Sequence, residues 1–240
     1  MRWEDQRGFL LHTIPYGETS LIVDLYTRLY GRVKCVAKGY RRPKKRGANR
    51  LLIPYVEYSF CWSGRADLKT LISADILGPP IFLQEEALYF GLYVNELIYR
   101  LFVEQDPLEG FYDHYKQFIN ALFRGPFHES HLRKTEMMLL SELGYGLVLD
   151  SEAGSGEPLE PNGRYLYEPQ FGLKKVSHKN VKNVLMGRHI LAIPDDDWSN
   201  ASVVKTARQI LKAAIDFYLG GKQLHSRKLY RDFKVSRTLF

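Results

Sequence analysis

Ser20-Leu21-Ile22-Val23-Asp24-Leu25-Tyr26-Thr27 and, after a short gap, Arg32-Val33-Lys34-Cys35-Val36-Ala37 run straight into Lys38-Gly39-Tyr40-Arg41-Arg42-Pro43-Lys44-Lys45-Arg46-Gly47-Ala48-Asn49-Arg50. The first two stretches are rich in β-branched and aromatic residues, and the second alternates with period two, as a half-buried strand requires. The third carries seven basic residues and no acidic one. Outward from this core, Phe9-Leu10-Leu11-His12-Thr13-Ile14 reads as a strand ending at Pro15, and residues 51–60 and 68–74 read as two more. Five short strands in under eighty residues are too few for a two-sided sandwich. A small barrel fits them, and the oligonucleotide-binding (OB) fold is the common five-stranded one. The basic stretch then connects the third strand to the fourth.

From Ile81 the period changes to that of a helix. Leu88, Leu92, Glu96 and Tyr99 recur at helical spacing up to Phe102, and Pro107 opens a second helix carrying Phe111, Tyr115, Phe118, Ile119 and Leu122. Gly125-Pro126 breaks that helix. A third is expected over 129–143, with Gly144 as its C-cap. Residues 150–163 read as a loop and 164–175 as a hairpin. Two further helices follow, from Ser199 or Asn200 to Leu219 and over 224–233, the latter with Leu224, Leu229 and Phe233 inward. The expected fold class is therefore α+β: a five-stranded OB-fold barrel over 1–80, then an α-helical domain over 81–240 with a small β-rich insert.

The formal net charge is +7, and its distribution says more than its size. Residues 38–50 contribute +7 and residues 222–237 contribute +5, which leaves −5 on the rest of the chain. Residues 75–113 hold eight acidic side chains against Arg100 alone. Two basic segments on an otherwise acidic body point to a polyanion partner, nucleic acid first among them. Flexible Lys and Arg side chains neutralise several phosphates at once and release counterions. Tyr40 adds a ring on which a base can stack. The bland alternative is a solvated loop, and the lack of any compensating acid over thirteen residues argues against it. The residues expected to meet DNA are Lys34, Lys38, Tyr40, Arg41, Arg42, Lys44, Lys45, Arg46 and Arg50 on the barrel, with Lys222, Arg227, Lys228 and Arg231 near the C-terminus.

Catalytic and metal motifs are thin. Gly220-Gly221-Lys222-Gln223 fails the phosphate-loop pattern at both its first and last positions. His128-Glu129-Ser130-His131 brings its second histidine one residue too early for a zinc-protease pair. Asp195-Asp196-Asp197 suits a nuclease metal, but acids before a helix more often cap it, and Asp197 is expected to do so. Cys35 and Cys61 sit in apolar strand-like runs and read as reduced core residues. No stretch approaches the roughly 20 apolar residues of a membrane helix, and no secretory signal is visible, so a cytoplasmic protein without enzymatic activity is expected. On the third helix, Arg133 and Lys134 flank an apolar stripe, an arrangement that suits an acidic peptide with an apolar anchor.

Several stretches, in order, carry a family resemblance: Glu18-Thr19-Ser20-Leu21, Gly31-Arg32-Val33, Val36-Ala37-Lys38-Gly39, Leu68-Lys69-Thr70-Leu71, Gly91-Leu92-Tyr93-Val94-Asn95-Glu96-Leu97, Leu132-Arg133, Leu143-Gly144-Tyr145-Gly146, Gly154-Ser155-Gly156-Glu157-Pro158 and Tyr218-Leu219-Gly220-Gly221-Lys222. Over residues 5–235 the chain resembles the bacterial recombination mediator family RecO, in its gamma-proteobacterial form. The resemblance implies an OB-fold domain and a helical domain with an insert at about 150–188. It implies binding of single- and double-stranded DNA and annealing of complementary strands, including strands covered by single-stranded DNA-binding protein (SSB). It further implies partnership with RecR in helping RecA replace SSB at gaps, and a place at the nucleoid. The acidic SSB tail is expected on Arg133 and Lys134. Many relatives hold zinc on four cysteines in the insert; here that segment has no cysteine, so no cofactor is expected. Annealing is opposed by phosphate repulsion, and two basic surfaces, one on each domain, would relieve it on both strands. The rival reading is a protein-interaction module without direct DNA activity.

Overall fold

These runs form five strands in the computed structural model, which describes residues 1–41, 52–178 and 181–238, with residues 237 and 238 described for their backbone alone. They are β1 (Arg2–Tyr16), β2 (Ser20–Thr27), β3 (Gly31–Ala37), β4 (Glu57–Ser63) and β5 (Lys69–Ile76). They close into a barrel in the order β1-β2-β3-β5-β4, with β4 returning to β1. Only β3 and β5 are parallel, meeting at Cys35↔Lys69 and Val36↔Thr70. This is an OB-like barrel. Closure depends on β1, whose register shifts between Trp3 and Gln6 and again between Leu10 and His12. Such bulges bend a strand, so the first half of β1 pairs with β4 and its second half with β2. Alternate side chains, including Leu10, Val23, Leu25, Val33, Cys35, Phe60, Trp62 and Leu71, fill the interior.

Two strand limits differ from expectation. β1 passes through Pro15, which pairs with Leu21. At that point β4 has already ended its pairing at Phe9, so the side of β1 where the proline lacks an N–H has no strand to bond. The fourth strand begins at Glu57; described residues 52–56 are irregular, with Tyr55 at φ 68.

Helices α1 (Glu85–Leu101) and α2 (Glu109–Arg124) cover part of the barrel's outer face. Tyr26 is buried among Phe102, Phe111, Tyr112 and Tyr115, with ring centroids 5.6–6.3 Å away. Beside it, Arg32 reaches both carboxylate oxygens of buried Asp24 (3.1 and 2.7 Å) and the carbonyl of Phe102 (2.9 Å). Burial pushes the Asp24 carboxyl up, more than the Arg32 partnership draws it down.

Beyond α2 come α3 (Glu129–Glu142), the hairpin of β6 (Arg164–Glu168) and β7 (Gly172–Lys175), a short β8 (Leu185–Met186) on β6, α4 (Gly187–Leu191), α5 (Ala201–Tyr218) and α6 (His225–Thr238). Asn200 caps α5 by accepting from the Ser202 N–H, while Asp197 bonds Ser199 instead of the helix. The chain divides into two compact units, Met1–Pro126 with Leu224–Phe240, and Phe127–Gln223. The change of period near residue 80 is not where that division falls, because α1, α2 and α6 group with the barrel.

Candidate nucleic-acid interface

The barrel places the described part of the basic segment at the end of β3. Lys34, on the strand, is engaged within the molecule: its ammonium pairs with Glu104, which raises its pKa. Lys38 is exposed. Tyr40 is half-buried and packs on the barrel core, so its ring is not a fully open stacking face. Exposed Arg41 is positioned twice, its N–H donating to Thr19 O (2.9 Å) and its guanidinium to Gly17 O (2.9 Å). These bonds fasten the root of the basic segment to the β1–β2 turn, one of the loops with which OB folds meet oligonucleotides. Arg42, Lys44, Lys45, Arg46 and Arg50 lie outside the described residues.

The β4–β5 turn, the second such loop, holds residues that charge counting passed over. Arg65 is exposed there, and Lys69 lies 5.3 Å over the Trp3 ring. Trp3 stacks on Trp62, and Tyr30 meets both rings edge-on. The OB assignment itself was the signal that could have found them.

The C-terminal basic segment is divided by the fold. Lys222 belongs to the unit Phe127–Gln223, while α6 belongs with the barrel. The helix is held on α1 by its first turn: Glu96 accepts from the N–H groups of His225 (3.0 Å) and Ser226 (2.8 Å) and from the Ser226 hydroxyl (2.7 Å). Burial alone would raise the Glu96 carboxyl, but these donors and Arg100 outweigh it and hold it below its usual value. Phe233 stacks on Tyr89 at 4.6 Å, and Tyr230 packs on Tyr89 and Phe90. Arg227 turns inward, over the Tyr93 ring at 5.3 Å and onto its hydroxyl at 3.1 Å. Lys228 and Arg231 remain exposed with no ion pair among the described residues. Leu229, expected inward, is 50% exposed, because α6 docks on the face that carries Tyr230 and Phe233.

On α3, Arg133 and Lys134 part company. Arg133 is only 7% exposed, with Nη1 2.7 Å from Glu136 Oε2 and Nε 3.6 Å from Glu129. Glu129 also accepts from Arg208 of α5. Lys134 is half-buried and pairs with Asp196 at 2.7 Å. That bond and one from Trp198 lower the Asp196 pKa, and they occupy the central carboxylate of the aspartate run.

Family comparison settles the kinship. A family model described as Recombination protein O N terminal matches residues 1–80, and one described as Recombination protein O C terminal matches residues 84–228. The chain belongs to the RecO family. Its DNA repair protein RecO relatives include those of Thiobacillus denitrificans (35% identity, 96% of this chain and 93% of the relative), Pseudomonas aeruginosa (37%, 96% and 96%) and Haemophilus influenzae (38%, 96% and 97%). Membership in RecO supports a role in DNA repair and recombination. The two RecO matches meet where the hydrophobic period changes, near residue 80, although the compact units divide elsewhere.

Both cysteines are buried in the barrel, and among the described residues no three His, Cys, Asp or Glu side chains cluster to hold a metal ion. Other bonds tie the insert together: Ala153 N–H to Leu173 O (2.7 Å), Lys175 N–H to Glu152 (3.1 Å) and Glu160 N–H to the Tyr165 hydroxyl (2.8 Å), over buried Leu159, Tyr165, Leu173 and Leu185. Among the described residues no helix is long and apolar enough to cross a membrane.

Proposed function

We propose that this RecO chain is a non-enzymatic DNA-binding mediator of recombination. On this reading it binds single- and double-stranded DNA, anneals complementary strands including SSB-coated ones, and with RecR promotes RecA loading on SSB-covered gaps, in the cytoplasm at the nucleoid. The observation that carries the reading is the uncompensated basic segment rooted by Arg41 on the β1–β2 turn of an OB-like barrel. Lys38, Arg41, Lys228 and Arg231 would neutralise phosphates, so affinity falls steeply with salt. Arg133 and Lys134 would receive the acidic SSB tail, with Arg208 beside them as a further cation. An incoming tail carboxylate would compete with Glu129 for Arg133 and Arg208. No cofactor is required.

The test is annealing of SSB-coated complementary oligonucleotides, with gel-shift titrations at two salt concentrations. Annealing and a steep salt slope are expected. A chain that binds no oligonucleotide at low salt, yet still binds SSB, would establish the rival protein-interaction module. Joint charge reversal of Arg41, Arg42, Lys44 and Lys45 should remove most DNA affinity.

A further inference from the structure

Helix α3 ends in a turn that projects one ring. Gly144, at φ 78, returns its N–H to Ser141 O (2.9 Å), and the Tyr145 N–H bonds Leu140 O (2.7 Å). The turn sets the Tyr145 ring on that of Tyr218, from the last turn of α5, with centroids 3.8 Å apart and planes 12° from parallel. Phe217 meets Tyr218 edge-on at 5.3 Å. All of these residues lie in the unit Phe127–Gln223. Tyr145 stays 43% exposed and Phe217 42%, an unusual outlay of aromatic surface for a helix end.

The ring is open in a particular way. Tyr218 covers one face of Tyr145, and among the described residues no second ring packs on the other. Around it there are glycines where side chains would stand: a Cβ at Gly144, Gly220 or Gly221 would meet nothing within 4 Å, and one at Gly146 only the Ser141 hydroxyl at 4.0 Å. These glycines place no side chain beside the exposed ring. A peptide anchor needs a concave pocket; a planar base needs only a plane. Asp216, the one carboxylate of α5, pairs with Lys212 at 2.5 Å, while exposed Lys222, four residues beyond Tyr218, has no ion pair among the described residues.

We infer that the Tyr145–Tyr218 stack is a base-stacking platform for an unpaired nucleotide of single-stranded DNA, with Lys222 available to a neighbouring phosphate. The inference rests on the DNA-binding reading above and adds a single-strand site in the unit that lacks the barrel. A duplex keeps its base faces covered, so this platform discriminates unpaired from paired DNA.

The test compares binding of an oligo(dT) and of a duplex by the full chain and by Tyr145→Ala and Tyr145→Trp, at low and raised salt. Base–aromatic stacking of the usual strength makes Tyr145→Ala weaken oligo(dT) binding by about 5- to 150-fold. That loss persists at raised salt, because stacking releases no counterions, and duplex binding stays put. Tyr145→Trp keeps or tightens oligo(dT) binding. Independently of any variant, an oligonucleotide carrying 5-iododeoxyuridine should photo-cross-link to Tyr145 in the unmodified chain. Equal losses on oligo(dT) and duplex, no loss in a folded Tyr145→Ala chain, loss of SSB-tail peptide binding alone, or cross-links that avoid Tyr145 would each overturn the platform. If the unmodified chain binds no DNA at all, the broader reading fails first, an outcome distinct from any of these.

Discussion

Replacing Glu96 should loosen α6 and leave the rest of the chain folded. The Glu96 carboxylate takes three hydrogen bonds from the first turn of α6, at 2.7–3.0 Å, and its side chain is 13% exposed. A hydrogen bond to a charged group contributes about 1.5–3 kcal/mol, but the freed N–H groups sit at an exposed helix end and would find water. Loss of a helix cap costs about 0.5–2 kcal/mol, and loss of the favourable charge at the positive helix end up to about 1 kcal/mol more. Glu96→Ala should therefore weaken α6 docking by about 0.5–3 kcal/mol, a factor of about 2–150. Glu96→Gln keeps one acceptor oxygen and should cost about 1 kcal/mol. Hydrogen exchange read by mass spectrometry is the direct assay: amides of α6 accelerate by these factors while those of α5 hold. The effect also has a pH dependence. The Glu96 carboxyl is held below its ordinary value of 4.5, so its contribution is complete above that range and is lost as pH falls through the lower folded value. Acid should thus release α6 in the parent chain and change nothing in Glu96→Ala. Unchanged α6 exchange in Glu96→Ala, or acceleration of α5 in step with α6, would refute the clasp.

Three further outcomes follow from the packing. Asp24→Ala strands the Arg32 guanidinium in a buried site and should cost about 3–5 kcal/mol by urea titration, whereas Asp24→Leu with Arg32→Met should recover much of it. Arg133→Ala should lower stability by a similar 3–5 kcal/mol, because it leaves the Glu136 carboxylate, 1% exposed, without the guanidinium beside it; adding Glu136→Gln should restore the urea midpoint, so SSB-tail binding is best compared in the double variant. Leu229→Ser should move the melting transition by less than about 0.5 kcal/mol, while Leu224→Ala, at a buried position, should cost about 2–5 kcal/mol.

The barrel was legible because its strands are rich in β-branched and aromatic residues between turn signals, and β2 runs over the residues that pattern marked. The fourth strand was expected to start too early because the apolar Leu52-Ile53, among the described residues, lies outside any strand; the Ile53 N–H instead donates to the Tyr58 hydroxyl at 2.8 Å. β8 and α4 are too short to leave a period. The inward face of α6 depended on a partner, the Tyr89–Phe90–Tyr93 surface of α1, that lies more than 120 residues away in sequence. For Arg133 the i,i+3 partner Glu136 and the i−4 partner Glu129 were both in view, but spacing does not reveal burial. The signal read as a binding cation is, in the fold, already balanced by two carboxylates.

The same balance explains the acidic stretch 75–113. Five of its eight carboxylates are engaged within their own unit: Glu86 on Lys234, Glu96 on the α6 N-terminus, Glu104 on Lys34, Asp113 and Glu109 on Arg28. These are mostly exposed pairs, each contributing little to stability. Their larger consequence is selection. They remove Lys34 and Lys234 from the free positive surface and leave Lys38, Arg41, Lys228 and Arg231 uncompensated on the barrel's unit. Apart from Lys222, the two basic segments expected on separate domains thus fall in one unit, and α6 contributes its pair only while Glu96 holds it down. If both segments meet phosphates, Glu96→Ala should lower DNA affinity and flatten the salt slope by about two phosphate contacts, with the β1–β2 turn and Arg41 untouched. An unchanged slope would confine the phosphate surface to the β3–β4 connection and leave α6 a purely structural helix.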